Sequence, residues 1–458
     1  MAGGGLSVKV WMKALWYRGM TSTFLAIFTL LLHGAPKPNI ILLVSDDMGW
    51  NEVGYHGSKI ATPHIDRLVK DGMQLDRFYV HPVCSPTRSA LMTGRLPARF
   101  GITAALTRGA SVPKDEHFMP QTFPKAGYQT FLVGKWHLGA TGPEYKPNAR
   151  GFDHFFGFHG GGINYFALGG LRARGWYRNV QPAIVEGYST DLLAAEAIRL
   201  IKKRDPNRPI YLNLSFNAPH PIAQAPEALI TKYAKLGFAG RMTAHAAAID
   251  AMDSAIGRVL AVLETEGMVR NTLVMFFCDN GSGGGGRSLR GISPQGRAGQ
   301  LALRGGKGSL LEGGIRVPAA LRWPGVIRPG TKCDQLVSAQ DLFPTFCVAV
   351  GIKPANQKQF DGVNCWPAII HNKPMKRPPV IVGGSSGEFS VLHGQWKLTW
   401  SQQQGSLYNV KDDPTESRDM TLDHPETVAM LADALAPFSK LNISNQGRGG
   451  RQRGGRRP

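Results

Sequence analysis

Four apolar, strand-like runs constrain the fold of this chain more than any other feature, because helix-like segments separate them. The runs cover residues 39–44, 129–133, 210–216 and 272–278. Segments 191–203 and 241–266 place apolar residues at helical spacing along one face. Short continuous apolar runs are typical of buried parallel strands. The alternation predicts an α/β domain in which helices flank a mostly parallel sheet.

Each strand-like run is followed by residues that can carry charge or bind a metal. In chain order these are Asp46 and Asp47, then Lys135 and His137, then His220, and finally Asp279 and Asn280. Ligands of open α/β sheets bind in the crevice at the carboxyl ends of the strands. We therefore expect these side chains to converge on one crevice.

Four of these residues offer oxygen ligands, namely Asp46, Asp47, Asp279 and Asn280. Three carboxylates and an amide, with neither histidine nor cysteine, suit a hard cation such as Ca²⁺, or Mg²⁺ in a tighter geometry. Taken one at a time, the same residues are better interpreted as helix caps or turn residues. Their shared position at strand ends favours a metal site.

A cysteine motif lies between the first two strand-like runs, where residues 84–88 read CSPTR and residues 93–95 read TGR. We expect a helix to begin with Pro86, which places Cys84 near the free amides of a helix N-terminus, a favourable place for an anion. Arg88 would then lie on the first turn and reach the crevice. Without the surrounding pattern, Cys84 would be interpreted as one more buried thiol.

Two lysines and two histidines complete the expected site. Lys135 supplies a compact positive charge for an anionic oxygen, and His137 supplies a proton-transfer group. His220 is the candidate general acid for a leaving alcohol. Lys307 stands in the glycine-rich segment 304–314, whose backbone could approach an anion closely, although an ordinary flexible loop is the alternative. Three other histidines are expected to have no catalytic role: His117, His154 and His245.

Together these motifs resemble those of the type I sulfatases, and the resemblance extends over residues 39–441. The matching segments follow the family's order and are residues 44–51, 84–95, 134–139, 279–281 and 306–308. The resemblance implies an alkaline-phosphatase-like fold and one Ca²⁺ ion. Its implied ligands are Asp46, Asp47, Asp279 and Asn280, with modified Cys84 as a further ligand.

The resemblance also implies that a formylglycine-generating enzyme oxidises Cys84 to formylglycine during maturation. Arg88 would stabilise the hydrated aldehyde, Lys135 and Lys307 would bind sulfate, and His137 would assist the hydrate. His220 would serve the leaving group. A serine nucleophile would end as a sulfate ester as stable as the substrate, whereas a hydrated aldehyde keeps a second hydroxyl whose deprotonation releases sulfate.

Two further segments, 53–58 and 150–157, resemble the arylsulfatase B (N-acetylgalactosamine-4-sulfatase) branch of the family. This resemblance implies a sulfated carbohydrate of the polysaccharide or glycosaminoglycan type as the substrate. His159, Asn164 and Tyr165, which follow the second segment, are candidate sugar contacts.

The chain is expected to have four parts. Residues 1–35 form a signal peptide, because the apolar run at 21–32 follows basic residues and is short for a membrane span. Residues 36–350 form the catalytic α/β domain, and 351–445 a smaller antiparallel α+β subdomain. Residues 446–458 form a disordered Arg/Gly tail. The mature protein is expected to be exported (periplasmic, secreted or lysosome-like) and to lack a membrane span.

The net charge of +21 indicates either a polyanionic partner or a need for solubility. Segment 281–306 contains no acidic residue, and we hypothesise that its arginines form a basic wall for neighbouring sulfates: Arg287, Arg290, Arg297 and Arg304. The basic tail resembles RNA-binding segments only in composition, so no specific nucleic-acid partner is expected. Besides Cys84 there are four cysteines, enough for two disulfides without requiring them.

Two alternatives to a carbohydrate sulfatase remain open at this point. The first is a phosphonate monoester or phosphodiester hydrolase of the same superfamily, which would use the same modified cysteine. The second is a non-catalytic polyanion-binding protein in which Cys84 stays unmodified.

Overall fold

The computed structural model describes residues 37–107, 109–168, 175–283, 303–354, 358–371, 373–401 and 404–438. The expected signal peptide and Arg/Gly tail lie outside these residues, as do Arg287, Arg290 and Arg297 of the expected basic wall. No helix in the described ranges is both long enough and apolar enough to cross a membrane.

The strands of the described chain are β1 (Asn39–Ser45), β2 (Met73–Leu75), β3 (Phe78–Tyr79), β4 (Gln129–Lys135), β5 (His154–Phe158), β6 (Phe166–Leu168), β7 (Trp176–Arg178), β8 (Gln181–Pro182), β9 (Glu186–Tyr188), β10 (Ile210–Ser215), β11 (Thr272–Cys278), β12 (Ala319–Arg322), β13 (Thr331–Cys333), β14 (Val337–Ser338), β15 (Val380–Gly383), β16 (Phe389–His393), β17 (Trp396–Ser401) and β18 (Gln404–Asn409).

The helices are α1 (Pro63–Lys70), α2 (Cys84–Thr93), α3 (Ser189–Lys203), α4 (Glu227–Lys235), α5 (Arg241–Thr265), α6 (Glu312–Ile315), α7 (Leu342–Ala349), α8 (Trp366–His371) and α9 (Pro425–Asp433). The long helix α5 packs against α1, α3 and α4. It is buried along most of its length, because alanines and branched apolar residues occupy the faces that meet its neighbours.

One sheet of ten strands organises the larger part of the fold, in the order β13-β2-β12-β11-β1-β10-β4-β5-β7-β8. Its five central strands, from β11 to β5, are all parallel. Strand β1 lies in the middle, where Ile41 is paired with Leu212 on one side and Val274 on the other. Every residue of β1, β10 and β11 is buried, as their continuous apolar sequence requires. The predicted mostly parallel sheet with flanking helices is confirmed.

A second, four-stranded antiparallel sheet follows near the C-terminus, in the order β15-β16-β17-β18. Together with α9 it encloses its own apolar core, which includes Val391, Leu398, Leu407 and Leu431. The predicted antiparallel C-terminal module is thus also confirmed. Strand β15 is buried along its whole length and β16 at every residue but His393, because both faces of this sheet are covered. One face belongs to the core shared with α9, and the other packs on Tyr79 and Ile315.

All five cysteines lie among the described residues, and each is buried and free. The two disulfides that the sequence permitted do not form. Cys278 is buried as expected, and its sulfur accepts the Met48 backbone N–H at 2.9 Å and contacts the Asn280 carbonyl oxygen at 3.0 Å. This thiol therefore joins the loop after β1 to the loop after β11.

Candidate active site

Helix α2 begins at Cys84 itself, so the expectation that the helix begins with Pro86 is wrong by two residues. Val83 is extended, with φ −144° and ψ 160°, and its carbonyl accepts the Thr87 N–H at 3.4 Å to close the first turn. Pro86 is still accommodated, because the first-turn N–H groups of a helix have no intrahelical partner. Cys84 is only 2% exposed at this N-terminus.

His137 holds the sulfur of Cys84 through its Nδ1 atom, at an Sγ–Nδ1 distance of 3.1 Å. The other ring nitrogen, Nε2, lies 3.0 Å from the Leu106 carbonyl oxygen and must donate to it. Nδ1 is therefore unprotonated and accepts from the thiol. Burial, reinforced by the charge of Lys135, lowers the pKa of His137 to about 3, so the ring is neutral near pH 7.

Two buried ion pairs flank Cys84. The ammonium of Lys135 lies 2.7 Å from Asp46 Oδ2, and both side chains are fully buried. Arg88 directs Nε and Nη2 at Asp279 Oδ2, at 2.9 and 2.8 Å, and donates from Nη1 to the Lys135 carbonyl at 3.1 Å. Burial and Asp279 raise the pKa of Asp46 well above its usual range, although Lys135 opposes this shift.

Asp47 is the point at which the remaining site residues meet. Its Oδ2 lies 2.7 Å from the ammonium of Lys307 and 3.8 Å from His220 Nε2, and its Oδ1 accepts from Asn280 Nδ2 at 2.6 Å. Burial alone would raise the pKa of Asp47, but Lys307 and His220 lower it. Burial, with Lys135, lowers the pKa of His220 to about 4.

The oxygen-rich part of this cluster fits a divalent cation. Two buried oxygens, Asp46 Oδ1 and Asn280 Oδ1, have no hydrogen-bond partner among the described residues. Ligand atoms of Asp46, Asp47 and His220 all lie within 4.8 Å of one another. A hard cation prefers the oxygens to the imidazole, so His220 remains available to a substrate. Unpartnered buried oxygens and a buried carboxyl with a raised pKa suit the binding of a positive charge.

The structure thus brings together all ten residues that the sequence predicted for the site. They are Asp46, Asp47, Cys84, Arg88, Lys135, His137, His220, Asp279, Asn280 and Lys307, and each is buried or partly buried. Asp47 and His137 both adopt a positive φ, 71° and 56° respectively, which turns their side chains out of the strand direction toward the centre.

Sequence reasoning missed a buried pair, formed by Glu52 and His245, behind the loops that carry Asp47 and Asn280. Glu52 Oε2 lies 2.9 Å from His245 Nε2 and accepts the Gly49 N–H at 2.7 Å, while Oε1 accepts from the Ser282 hydroxyl at 2.8 Å. The His245 ring also hydrogen-bonds the Pro219 carbonyl. We call Glu52 and His245 the loop clamp.

The loop clamp joins segments that carry four of the site residues. Gly49 follows Asp47, Ser282 follows Asn280, and Pro219 precedes His220 in the chain. The Ser282 carbonyl also accepts the Lys307 N–H at 3.1 Å. His245, which was expected to have no role, therefore positions the site without touching its centre. The sequence showed only that His245 lies within the helical pattern of α5. That pattern does not reveal a hydrogen-bond partner 193 residues away.

Glycines 160–162 cross the site beside its two histidines. A Cβ atom on Gly161 would lie 2.7 Å from His137 Cε1, and one on Gly162 would lie 3.4 Å from His220 Nδ1. Tyr165, a candidate sugar contact, instead donates its buried hydroxyl to the carbonyls of Asn217 and His220, at 3.1 and 2.9 Å. Tyr165 therefore fixes the His220 loop.

Comparison with known proteins identifies a family. The family model described as Sulfatase matches residues 38–352. N-acetylgalactosamine-6-sulfatase of Mus musculus is 34% identical over 82% of this chain and 75% of its own length. Arylsulfatase J of Mus musculus is 28% identical over 90% of this chain and 77% of its own length.

Solved structures share the fold of this chain. The crystal structure of Ps i-CgsB in complex with k-i-k-neocarrahexaose superposes with a TM-score of 0.81 at 33% identity, covering 90% of this chain and 94% of that one. The PsFucS1 sulfatase from Pseudoalteromonas sp. has a TM-score of 0.72 at 24% identity, over 89% of this chain and 92% of that one.

Fold and site together define an enzyme of the alkaline-phosphatase-like α/β class, with its centre at the carboxyl ends of parallel strands. Within that class, the chain belongs to the Sulfatase family and is a sulfatase. The predicted family is thereby confirmed. The names of these relatives support the family and not the arylsulfatase B branch, which stays a prediction.

Proposed function

We propose that this protein hydrolyses sulfate esters of carbohydrates, using Cys84 oxidised to formylglycine and one Ca²⁺ ion. The observation that supports this proposal is the meeting of one buried cysteine with charged or metal-capable side chains from four separate strand ends. Such a convergence has no structural purpose of its own, because burying so many charges opposes folding. It is expected where charge must be stabilised on a bound anion.

The cations of the site would hold the sulfate group. Lys135 and Lys307 flank the position of Cys84, and the first N–H groups of α2 add positive potential there. The Sγ atom of Cys84 marks where one oxygen of a formylglycine hydrate would lie, 3.1 Å from His137 Nδ1. His137 has an unprotonated Nδ1 at that point and can accept a hydroxyl proton.

The metal would be held by Asp46, Asp47, Asp279 and Asn280. A bound Ca²⁺ would neutralise charge on a sulfate oxygen and make a neighbouring hydroxyl more acidic. Formylglycine would supply the hydrated aldehyde, with one hydroxyl to attack sulfur and a second to release sulfate. Arg88 is held by Asp279 and the Lys135 carbonyl. It would therefore keep formylglycine and the metal ligands in fixed positions relative to each other.

His220 is suited to protonate the leaving alcohol. Its side chain is 25% exposed, whereas Asp47 beside it is fully buried, so His220 lies on the open side of the site. Burial and the nearby charge of Lys135 hold its pKa at about 4. A bound sulfate ester adds negative charge at this position and favours the protonated imidazole.

The class of substrate is inferred from two relatives. One is named for a sulfated amino sugar, N-acetylgalactosamine-6-sulfate, and the other is bound to k-i-k-neocarrahexaose. Both share at least 33% of their residues with this chain over most of its length. A sulfated carbohydrate therefore remains the substrate we propose, and export of the protein and its maturation by a formylglycine-generating enzyme remain part of the proposal.

The test is to express the protein with a formylglycine-generating enzyme and to measure sulfate release from a panel of defined sulfated saccharides. Mass spectrometry of the peptide containing Cys84 reports conversion to formylglycine. We expect release from at least one saccharide, and none from a Cys84→Ala variant. Faster hydrolysis of phosphodiesters than of any sulfate would favour the phosphohydrolase alternative, and an unmodified, inactive Cys84 would favour a binding protein.

A further inference from the structure

A basic trough lies beside the C-terminal module, away from the residues of the active site. It consists of two cavities of about 690 and 730 Å³ that share Arg77, Asp334, Gln335 and Lys411. Each cavity is large enough for a sugar unit. We define the basic trough by the charged residues that line either cavity: Arg77, Arg316, Lys332, Lys376, Arg377, Lys411, Asp76 and Asp334.

Six cationic side chains and two carboxylates line the basic trough, and one of the six, Arg377, is paired with Asp341 behind the lining. Arg316 and Lys332 both pair with Asp76. Lys376 and Lys411 are exposed and have no acidic partner among the described residues. Exposed lysines without a counter-charge, grouped at a concave surface, attract polyanions by raising their local concentration.

Arg77 lines both cavities and is only 8% exposed. Its Nη2 donates to the Gly394 carbonyl at 2.7 Å, while its Nε has no hydrogen-bond partner among the described residues. His393, which precedes Gly394 at the end of β16, also has a buried Nδ1 atom without a hydrogen-bond partner among the described residues. Buried polar atoms are normally satisfied, so these two groups point to a polar ligand.

The basic trough opens at the same edge of the sheet as the active site. Strand β12 is antiparallel to both β11 and β2, so β2 runs in the same direction as β11 and β1. Asp76 and Arg77 follow the carboxyl end of β2, which is three strand spacings from β1. Three spacings amount to about 14 Å, a distance that a chain of a few linked sugars can span.

We propose that the basic trough is a second binding site for a sulfated polysaccharide, which holds a sulfated part of the chain outside the active site. This inference rests on the proposed substrate class. It differs from the basic wall expected in segment 281–306, of which the structure describes only Arg304. That side chain lies over Tyr408 and contacts the Glu416 carbonyl.

The test measures binding in a Cys84→Ala protein, so that it does not depend on turnover. The probes are dextran sulfate oligosaccharides, unsulfated dextran of the same length, and inorganic sulfate. We compare Lys376→Gln/Lys411→Gln with Lys202→Gln/Lys203→Gln, which removes two charges from α3 that are also exposed. The first pair should weaken dextran sulfate binding about three- to tenfold and flatten its salt dependence, and the second should not.

Equal weakening by both pairs, or no weakening by either, would overturn the proposal, as would equal binding of unsulfated dextran. Inorganic sulfate that binds as tightly as the oligosaccharide would also overturn it, because the trough would then be a small-anion site. Melting curves confirm that the exposed substitutions leave folding intact. Failure of the proposed function has a different signature, because wild-type protein would then release sulfate from no saccharide.

Discussion

Removing His245 from the loop clamp should destabilise the protein far more than neutralising its partner. Both side chains are buried, at 5% and 7% exposure, and their Nε2 and Oε2 atoms are 2.9 Å apart. His245→Leu leaves the Glu52 carboxylate buried without its cation, which costs about 3–5 kcal/mol. Glu52→Gln keeps an amide that can donate to a neutral imidazole, so it should cost only about 1 kcal/mol.

The assay is urea unfolding of the wild type, both single variants and the double variant, with free energies obtained by linear extrapolation. The double variant contains no buried charge at this position and should be more stable than His245→Leu alone. Sulfate release should fall in His245→Leu because Gly49, Ser282 and Pro219 lose their common anchor. A His245→Leu protein within about 1 kcal/mol of the wild type would refute the reasoning.

The contribution of the clamp should also depend on pH. Burial opposes both charges, but Glu52 raises the pKa of His245 above 6.5 and His245 lowers the pKa of Glu52 below 4.5. The His245 contribution is complete below pH 6.5 and is lost as the pH rises through its raised pKa. The Glu52 contribution is complete above pH 4.5 and is lost as the pH falls. The difference in unfolding free energy between the wild type and the double variant should therefore be greatest between pH 4.5 and pH 6.5.

Three further predictions concern the site and its supports. Gly161→Ala should lower the rate of sulfate release about 10- to 100-fold by displacing His137, with little change in stability. Gly160→Ala is its matched control, because a Cβ there meets only the Gly162 carbonyl oxygen at 4.0 Å. Lys397→Met should cost about 3–5 kcal/mol in urea unfolding, since Lys397 is fully buried between Glu312 and Glu416 at 3.1 and 2.8 Å. Lys203→Met, on an exposed surface, should change stability by less than about 0.5 kcal/mol. Ca²⁺ at 100 times its dissociation constant should stabilise chelator-treated protein by about 2.7 kcal/mol in the same assay. At that same Ca²⁺ concentration, the Asp46→Asn variant should be stabilised less, and equal stabilisation of both proteins would contradict the assigned ligands.

The sequence was sufficient for the parts of the site that depend on local pattern. A continuous apolar run followed at once by Asp46 and Asp47 specifies both a buried strand and a polar strand end. The same holds for Lys135 and His137, and for Asp279 and Asn280. Because parallel strands end at one edge, their order in the sheet was not needed to predict that these residues meet.

Helix boundaries were predicted less well. The helix at Cys84 begins two residues before the proline that was expected to begin it, because proline fits any position of a first turn. The prediction that Cys84 lies at the N-terminus of a helix was nonetheless correct.

Only the tertiary structure decided which atoms pair and which surfaces form. The partners Glu52 and His245 are 193 residues apart, and the basic trough gathers Arg77, Lys376 and Lys411 from distant segments. Sequence pattern records the burial of a residue and the direction of its strand, whereas contacts between distant segments depend on how every intervening element packs. The sequence by itself thus determined the sheet, its polar edge and the sulfatase family, and the packing of the chain determined the clamp and the trough.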